Sequence, residues 1–488
     1  MASADATFPF PELTRLPTGV PGLDTVMHGG LVAGDAYLVR GTPGTGKTTL
    51  GNQLAFAHAV AGGRAIVATL LTETHERMLA HLRTFAFADP ALVGERIQYI
   101  SLLTAMQEGG TDGAINALVP TIQKHRATLL IIDGAGGAEL FAPSRLDFSN
   151  FIHSLQARTA FLGCTTVMLS GNDEAIGVAT HVDGVVELSN EPTESRDVRW
   201  LRVVKLRGSD YLNGRHAFAI DDHGVTVFPR LEAASTDLEP TWPDAVERLP
   251  FGVAGFDAMT AGGMAVGSSA LVFGTPGAGK TLLGLHFIAE GARRGEPGLI
   301  ASFQEPAQAL ASTADQAGMG LGPHIESGLV RVMWRPPLEL VPDEWVWQLL
   351  AAVDEHQPRR VVVDAFSDLA RTFPTPQRLT RFATAMTNEL RARLVTSLFL
   401  LEIDQFAGPD LTLPVPNVSA TMDTGILLRT VELRSSLRRL VSILKERQTA
   451  FDHTIREFTI GPAGITVEEP FAASALLTGT AVPIEQRS

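Results

Sequence analysis

The chain has almost no cysteine, few tyrosines and tryptophans, no excess of positive charge and no long apolar run. One cysteine in 488 residues excludes an internal disulfide and any zinc site built on paired cysteines. That residue, Cys164, lies in the apolar run FLGCTTVML, where a buried structural thiol is expected. A net charge of -14 leaves no global basic footprint for a polyanion such as nucleic acid. No segment offers ~18 uncharged apolar residues in a row. The N-terminus, MASADATFPFPELT, has no basic stretch leading into an apolar one. Neither a membrane anchor nor a secretion leader is therefore expected, and the expected compartment is the cytoplasm.

What is present is ordinary for a compact protein: 45% hydrophobic and 19% charged residues, which argues against long disorder. The length exceeds what one core usually serves, so at least two domains are expected. An internal duplication supplies them. RLPTGVPGLDTVMHGGLVAG from Arg15 recurs as RLPFGVAGFDAMTAGGMAVG from Arg248, 233 residues later, and the same shift carries Gly41 onto Gly274 and Lys47 onto Lys280. Between the copies, LEAASTDLEPTWPDAVE (Leu231 to Glu247) mixes proline, acidic and small residues without helical or strand period, which reads as a linker. The expected organisation is an N-terminal tail (1–14), a first domain (15–234), a linker (235–247), a second domain (248–470) and a C-terminal tail (471–488).

Each copy carries strand, glycine-rich loop and helix in that order. AYLVR precedes GTPGTGKTTL and LGNQLAFAHAV; ALVF precedes GTPGAGKTLL and LGLHFIAEGA. Both match G-x-x-x-x-G-K-[ST] in the context that gives the motif its meaning. Glycines let successive backbone N–H groups turn around phosphate oxygens at the positive end of the next helix. The expected cradles are Gly41, Thr42, Gly44, Thr45, Gly46, Lys47, Thr48 and Thr49, and Gly274, Thr275, Gly277, Ala278, Gly279, Lys280, Thr281 and Leu282. The lysines would reach the β- and γ-phosphates of ATP, and the hydroxyls of Thr48 and Thr281 would ligate Mg²⁺.

Downstream, TLLIID ends at Asp133 and RVVVD at Asp364. Runs apolar at nearly every position are what a parallel strand buried on both faces requires, and the C-terminal end of such a strand is where an α/β sheet binds ligands. The two aspartates are the expected metal-side carboxylates, although an aspartate after a strand also suits any turn. Between loop and aspartate, RAIVATLLTETHERM and GLIASFQEPAQAL each place a strand-like run before an acidic residue, Glu73 and Glu305. Hydrolysis needs a base in line with the γ-phosphate; a glutamate opening a helix and complementing its dipole is the alternative. The fold class is therefore α/β: two tandem RecA-like P-loop domains, each a mainly parallel sheet flanked by helices.

At these residues the chain resembles the KaiC family of RecA-like ATPases, over roughly Leu13 to Val467. The carrying motifs are the G-[VI]-x-G-[LF]-D…GG[LM]…G lead-in to each P-loop, KLRGSDYLNGRHAFAIDDHGVTVFP, and DTGILLRTVELRSSLRRLVSILKERQTAFDHTIREFTI. The resemblance implies a double-ring homo-hexamer with ATP between subunits. It also implies a late-strand K-x-R pair acting on the neighbour's γ-phosphate, matched by Lys205/Arg207 and Lys445/Arg447, in the manner of an arginine finger. Read from the residues alone, such cations also suit a solvated strand edge. A KaiB-like or kinase-type signalling partner is implied as well, while the short tail departs from the long regulatory tail of the clock proteins.

Two departures touch the chemistry. The family commonly has paired glutamates where this chain has Thr72-Glu73 and Gln304-Glu305, and domain one carries one extra residue before Glu73. Family members autophosphorylate an adjacent Ser-Thr pair; anchoring on Asp423-Thr424 puts Ser419 at the first acceptor, Ala420 at the second, and Thr421 beside them as a substitute. A hydroxyl in VPNVSATMDT also reads as a turn or cap residue. Two other functions stay open: a RecA- or DnaB-like DNA-dependent ATPase, disfavoured by acidity and the lack of a basic, aromatic-interleaved loop, and a nucleotide-gated scaffold without catalysis. Asp221-Asp222-His223 and Asp452-His453 are expected to be turn chemistry rather than metal sites.

Overall fold

The computed structural model describes residues 13–70, 75–171, 176–193, 196–236, 247–403, 421–433, 436–447, 450–470, 473–474 and 482–483. The chain divides into two compact units, Met1–Ala234 and Ser235–Ser488. In unit one the principal strands are β1 (Ala36–Gly41), β2 (Ala65–Thr69), β3 (Ile97–Ser101), β4 (Leu129–Asp133), β5 (Thr165–Ser170), β6 (Gly184–Pro192), β7 (Asp197–Leu206), β8 (His216–Asp221) and β9 (Gly224–Phe228). They form one sheet in the order β3-β2-β4-β5-β1-β6-β7-β8-β9.

Unit two repeats this with β10 (Ser269–Gly274), β11 (Gly298–Ser302), β12 (Val330–Trp334), β13 (Arg360–Asp364), β14 (Thr396–Glu402), β15 (Thr424–Leu433), β16 (Ser436–Glu446), β17 (Arg456–Gly461) and β18 (Gly464–Pro470). Their order is β12-β11-β13-β14-β10-β15-β16-β17-β18. From β3 to β6, and from β12 to β15, neighbours run parallel; the last three strands of each sheet fold back antiparallel. Two nine-stranded, mainly parallel sheets flanked by helices are tandem RecA-like domains.

The continuous apolar runs become the central strands because both faces of each sheet are covered. Tyr37, Val39, Val67, Leu129 and Ile131 pack on one face of the first sheet, under Leu50, Leu54 and Phe56 of helix α1 (Lys47–Val60). Leu38, Ile66, Leu130 and Ile132 alternate onto the other face, against Phe148, Ile152 and Leu155. Cys164 lies in this second layer, fully buried, and burial pushes its thiol up to about 12. In unit two the counterpart of α1 is α2 (Lys280–Arg293), whose Leu283, Phe287 and Ile288 pack over Val272, Ile300 and Val362.

The duplicated lead-in is architecture. Arg15–Leu16 pairs antiparallel with Leu31–Val32, and Arg248–Leu249 with Met264–Ala265. The motif aspartates hold the intervening turn: Asp24 accepts from the Thr18 N–H at 2.9 Å, and Asp257 from the Phe251 N–H at 2.7 Å. Arg15 and Arg248 close it from inside, donating to the carbonyls of Met27 and Gly30 and of Thr260 and Gly263.

The connection departs from the linker reading at its start. Leu231–Ala234 is a single helical turn, because Leu231 is fully buried and the N–H groups of Ala233 and Ala234 find the Arg230 carbonyl. Ser235 is buried too and donates to Glu389 at 2.6 Å, so it packs with the second unit. Beyond Pro470, the described pieces Ala473–Ser474 and Val482–Pro483 pair antiparallel. Among the described residues no helix is long and apolar enough to cross a membrane.

One buried position separates the copies physically. In α1, Gln53 accepts from the Val225 N–H at 2.7 Å and donates to the Val225 carbonyl at 3.1 Å. The matching residue of α2 is His286, whose Nε2 accepts from the Ile465 N–H at 2.9 Å. Burial, with Arg293 adding to it, pushes this imidazole from 6.5 down to about 4. In the unfolded chain the ring protonates near 6.5, in the fold only near 4. Its contribution to stability is thus complete above the upper value and is lost as pH falls toward the lower one. H286Q, which copies Gln53, should keep the hydrogen bond and gain on wild type as pH drops through that window, by about 1–3 kcal/mol. Thermal melts from neutral to acid pH check this; a gap independent of pH would contradict it.

Candidate functional site

Both glycine-rich loops sit where β1 and β10 end and α1 and α2 begin, so each helix N-terminus faces the loop. Lys47 Nζ donates to the carbonyls of Gly41 at 2.7 Å and Thr42 at 2.9 Å; Lys280 Nζ donates to Gly274 and Thr275, both at 2.9 Å. The residue before each lysine must be glycine for a backbone reason: Gly46 and Gly279 both stand at φ 98°, a left-handed conformation that side chains disfavour. Thr45 Oγ1 braces the first loop by donating to the Thr42 carbonyl at 2.9 Å. In the second loop Ala278 fills this position and is buried.

The strand-end aspartates meet the loop hydroxyls. Thr48 Oγ1 donates to Asp133 at 2.7 Å, and Thr281 Oγ1 lies 3.3 Å from Asp364. Sheet register brings this about: β4 runs parallel to β5, and β5 to β1, so Asp133 emerges at the loop's level. Both aspartates are buried, and burial raises the Asp364 pKa, opposed by its bond to Thr281. A cavity of about 550 Å³ is lined by Gly44, Gly46, Lys47, Thr48, Thr49 and Asp133, with Ile220 above. Its counterpart, about 420 Å³, is lined by Gly277, Gly279, Lys280, Thr281, Leu282 and Asp364, with Ile460 above.

Glu305 lines that second cavity. It directly precedes Pro306, the N-cap of helix Ala307–Gln316, whose first turn holds no acidic residue of its own. Its Oε2 is buried with no hydrogen-bond partner among the described residues. Gln304, at the first position of the altered pair, donates to Asp368 at 3.0 Å. Glu73 and Ser419 lie outside the described residues.

The K-x-R pairs stand elsewhere. Lys205 faces Val185 and Lys445 faces Gly425, at the starts of β6 and β15. There Lys205 Nζ donates to the Val182 carbonyl at 2.6 Å and Lys445 Nζ to Met422 at 2.7 Å. Arg207 pairs with Asp183 at 3.3 Å; Arg447 lies 3.9 Å from Asp423. Burial, reinforced by the adjacent arginine, lowers the pKa of each lysine. The same aspartates anchor the strand that leads to the P-loop, accepting from the N–H of Ala36 at 3.1 Å and Ser269 at 2.9 Å. The pairs therefore occupy the end of the sheet opposite their own P-loops. Thr421, next to Met422, lies at that same end and is half-buried.

Sequence reading missed these anchoring aspartates, the isoleucines above the loops, and Glu402 beside Lys280. Comparing the two copies position by position is the signal that could have found Glu402, since Gly171 is its counterpart. At the acidic clusters the His223 N–H donates to Asp221 and the Thr454 N–H to Asp452, both at 2.8 Å, as in turns; the exposed Asp221, Asp222 and His223 also bring their ligand atoms within 4.8 Å of one another.

Twin P-loops on doubly covered parallel sheets, each hydroxyl bonded to a strand-end aspartate, define a RecA-type P-loop ATPase built twice. A model of the family described as ATPase: KaiC matches residues 16–232 and 249–471. The chain belongs to the KaiC ATPase family. It is 28% identical over 496 residues to the circadian clock oscillator protein KaiC of Synechococcus elongatus, covering 96% of this chain and 93% of that protein. It is 27% identical over 479 residues to circadian clock oscillator protein KaiC 1 of Synechocystis, covering 94% and 89%.

The loop geometry can be tested at Gly41, where a Cβ would come within 2.4 Å of the Leu188 backbone carbonyl oxygen, whereas at Gly44 it would meet open space. G44A carries only the backbone cost of a left-handed side chain, about 1–2 kcal/mol. G41A should lose more stability than G44A, because a neighbouring strand's backbone cannot give way as a side-chain end can. Denaturant titration of the two variants reads this directly.

Proposed function

We propose that this protein is an ATP-hydrolysing signalling protein that works as a two-tiered ring of six copies, with ATP and Mg²⁺ at the boundaries between them. The observation that carries this reading is the placement of each K-x-R pair. Lys205 faces Val185 and Val185 faces Leu38, so it stands two strands (~4.8 Å each) and three residues (~3.3 Å each) from Gly41, with its ammonium turned the other way onto the Val182 carbonyl. Pointing away from its own loop, the pair suits a nucleotide held by another copy. A head-to-tail contact of this kind repeats, and a ring is how it closes. Val204 and Leu444, beside the two lysines, are 37% and 48% exposed, apolar surface that a neighbour would cover.

In this reading Thr48 with Asp133, and Thr281 with Asp364, hold Mg²⁺, which supplies neutralisation of phosphate charge when bound. Lys47 and Lys280 bind the β- and γ-phosphates, and the loop amides orient them. Glu305 takes the proton of the attacking water, with Glu73 as its counterpart in domain one. Lys205, Arg207, Lys445 and Arg447 stabilise the transition-state charge across the boundary. Thr421 precedes β15 at the K-x-R end, so a neighbour's nucleotide rather than its own would phosphorylate it, and Ser419 is two residues earlier in the sequence. Self-phosphorylation of domain two on Ser419, with Thr421 as substitute, is thus an activity in trans. A cytoplasmic location and a KaiB-like or kinase-type signalling partner complete the proposal.

Native mass spectrometry with Mg·ATP should show a six-copy species that K47A/K280A loses. E305Q should release phosphate from domain two at about a hundredth of the wild-type rate while still retaining nucleotide. K205A/R207A should slow hydrolysis in domain one without loss of binding. Equal, negligible release from wild type and E305Q would favour a non-catalytic scaffold instead.

A further inference from the structure

Beside the second P-loop stands a carboxylate that, among the described residues, domain one does not match. Glu402 is the last residue of β14 and faces Gly274, the first residue of the loop, in the parallel register. Its Oε2 lies 3.8 Å from Lys280 Nζ. Ser367 Oγ, 3.4 Å from the Glu402 backbone N–H, stands at the same strand end. In domain one β5 runs beside β1 in the equivalent register, Arg40 facing Ser170, so the next position is Gly171, which has no side chain. The second cavity is lined by Glu305, Asp364 and Glu402 together with Lys280.

The aspartate at the strand end and the glutamate after β11 have counterparts in the sequence of both halves; Glu402 does not. A third carboxylate beside the P-loop lysine competes for the one ammonium that phosphate oxygens need. It also sets like charge against whatever phosphate reaches farthest from the loop. A terminal β-phosphate is held chiefly by loop amides and the helix N-terminus. A γ-phosphate extends beyond them and would meet the repulsion of a carboxylate beside the lysine that binds it. Discrimination by a built-in repulsive group is an ordinary route to specificity.

We propose that Glu402 sets the nucleotide preference of the second site: by pairing with Lys280 and repelling a γ-phosphate, it weakens triphosphate relative to diphosphate. This rests on the reading of the second P-loop as a nucleotide site. The two halves of the chain then differ in function: domain one favours the triphosphate more strongly, and domain two exchanges it readily for the diphosphate.

The experiment is equilibrium dialysis of radiolabelled ATP and ADP against the full-length chain carrying K47A, which leaves the second site to be read, with and without E402Q. Measurements are made both in EDTA and in magnesium. E402Q should tighten ATP about tenfold and ADP less than about threefold, with the shift also present in EDTA, since charge repulsion needs no metal. E402T, shorter and neutral, should move the ratio the same way, and nucleotide-free melting curves report whether both variants fold. An unchanged ATP-to-ADP ratio in both variants overturns the proposal. So does weaker ATP binding confined to magnesium, which would make Glu402 a metal ligand. If the chain with an intact Glu402 and Lys280 binds neither nucleotide, the nucleotide-site reading itself fails; if it binds both and the ratio stays put, only the role of Glu402 fails.

Discussion

The contact between a loop hydroxyl and a strand-end carboxylate, Thr48 with Asp133 and Thr281 with Asp364, is the point on which each half of the molecule turns. It joins two segments more than eighty residues apart. It can form only because the strands carrying them are locked in parallel register by apolar packing on both faces. The glycine-rich loop adds no core of its own. Its shape is inherited from the strand before it and the helix after it, and the lysine is held inward by the loop's own carbonyls.

Duplication preserved that frame and altered what surrounds it. Gln53 and His286 do the same job, each accepting a backbone N–H from the hairpin that closes the sheet, but only one of them titrates. The start of β13 carries Arg360, fully buried against Glu296 at 2.9 Å and over the Phe287 ring, where β4 begins with Leu129. Such a buried ion pair is costly to break from one side and adds little net stability when intact. Divergence of this sort, together with Glu402 against Gly171, makes the copies alike in architecture and unlike in electrostatics.

The two ends of each sheet divide the work. At the C-terminal ends of the parallel strands stand the loop, the aspartate and the cavity. At the opposite end, Asp183 binds the first N–H of the P-loop strand and pairs with Arg207, whereas Asp423 binds its strand's first N–H and Arg391 at 2.6 Å, with Arg447 3.9 Å away. In domain one Asp35 joins this cluster, its pKa raised to about 6 by burial and by Asp183, with Arg207 opposing. Arg207 is therefore tied, through Asp183 and one strand, to the glycine-rich loop at the other end.

Much of this was legible in the amino-acid order. The repeat, the strand–loop–helix context of each P-loop and the apolar runs ending in Asp133 and Asp364 are local patterns, and local patterns report period, turn chemistry and burial directly. They determined the fold class and the position of each glycine-rich loop between its strand and helix. The connection was less legible, because Leu231 and Ser235 sit in a polar, proline-rich context and only tertiary packing buries them. Tertiary structure alone decided that the K-x-R pairs face away from their own loops, that Asp183 and Asp423 anchor them, and that Glu402 meets Lys280. Each depends on register between strands distant in sequence, and pairing of side chains across a sheet leaves no periodic trace along a single strand.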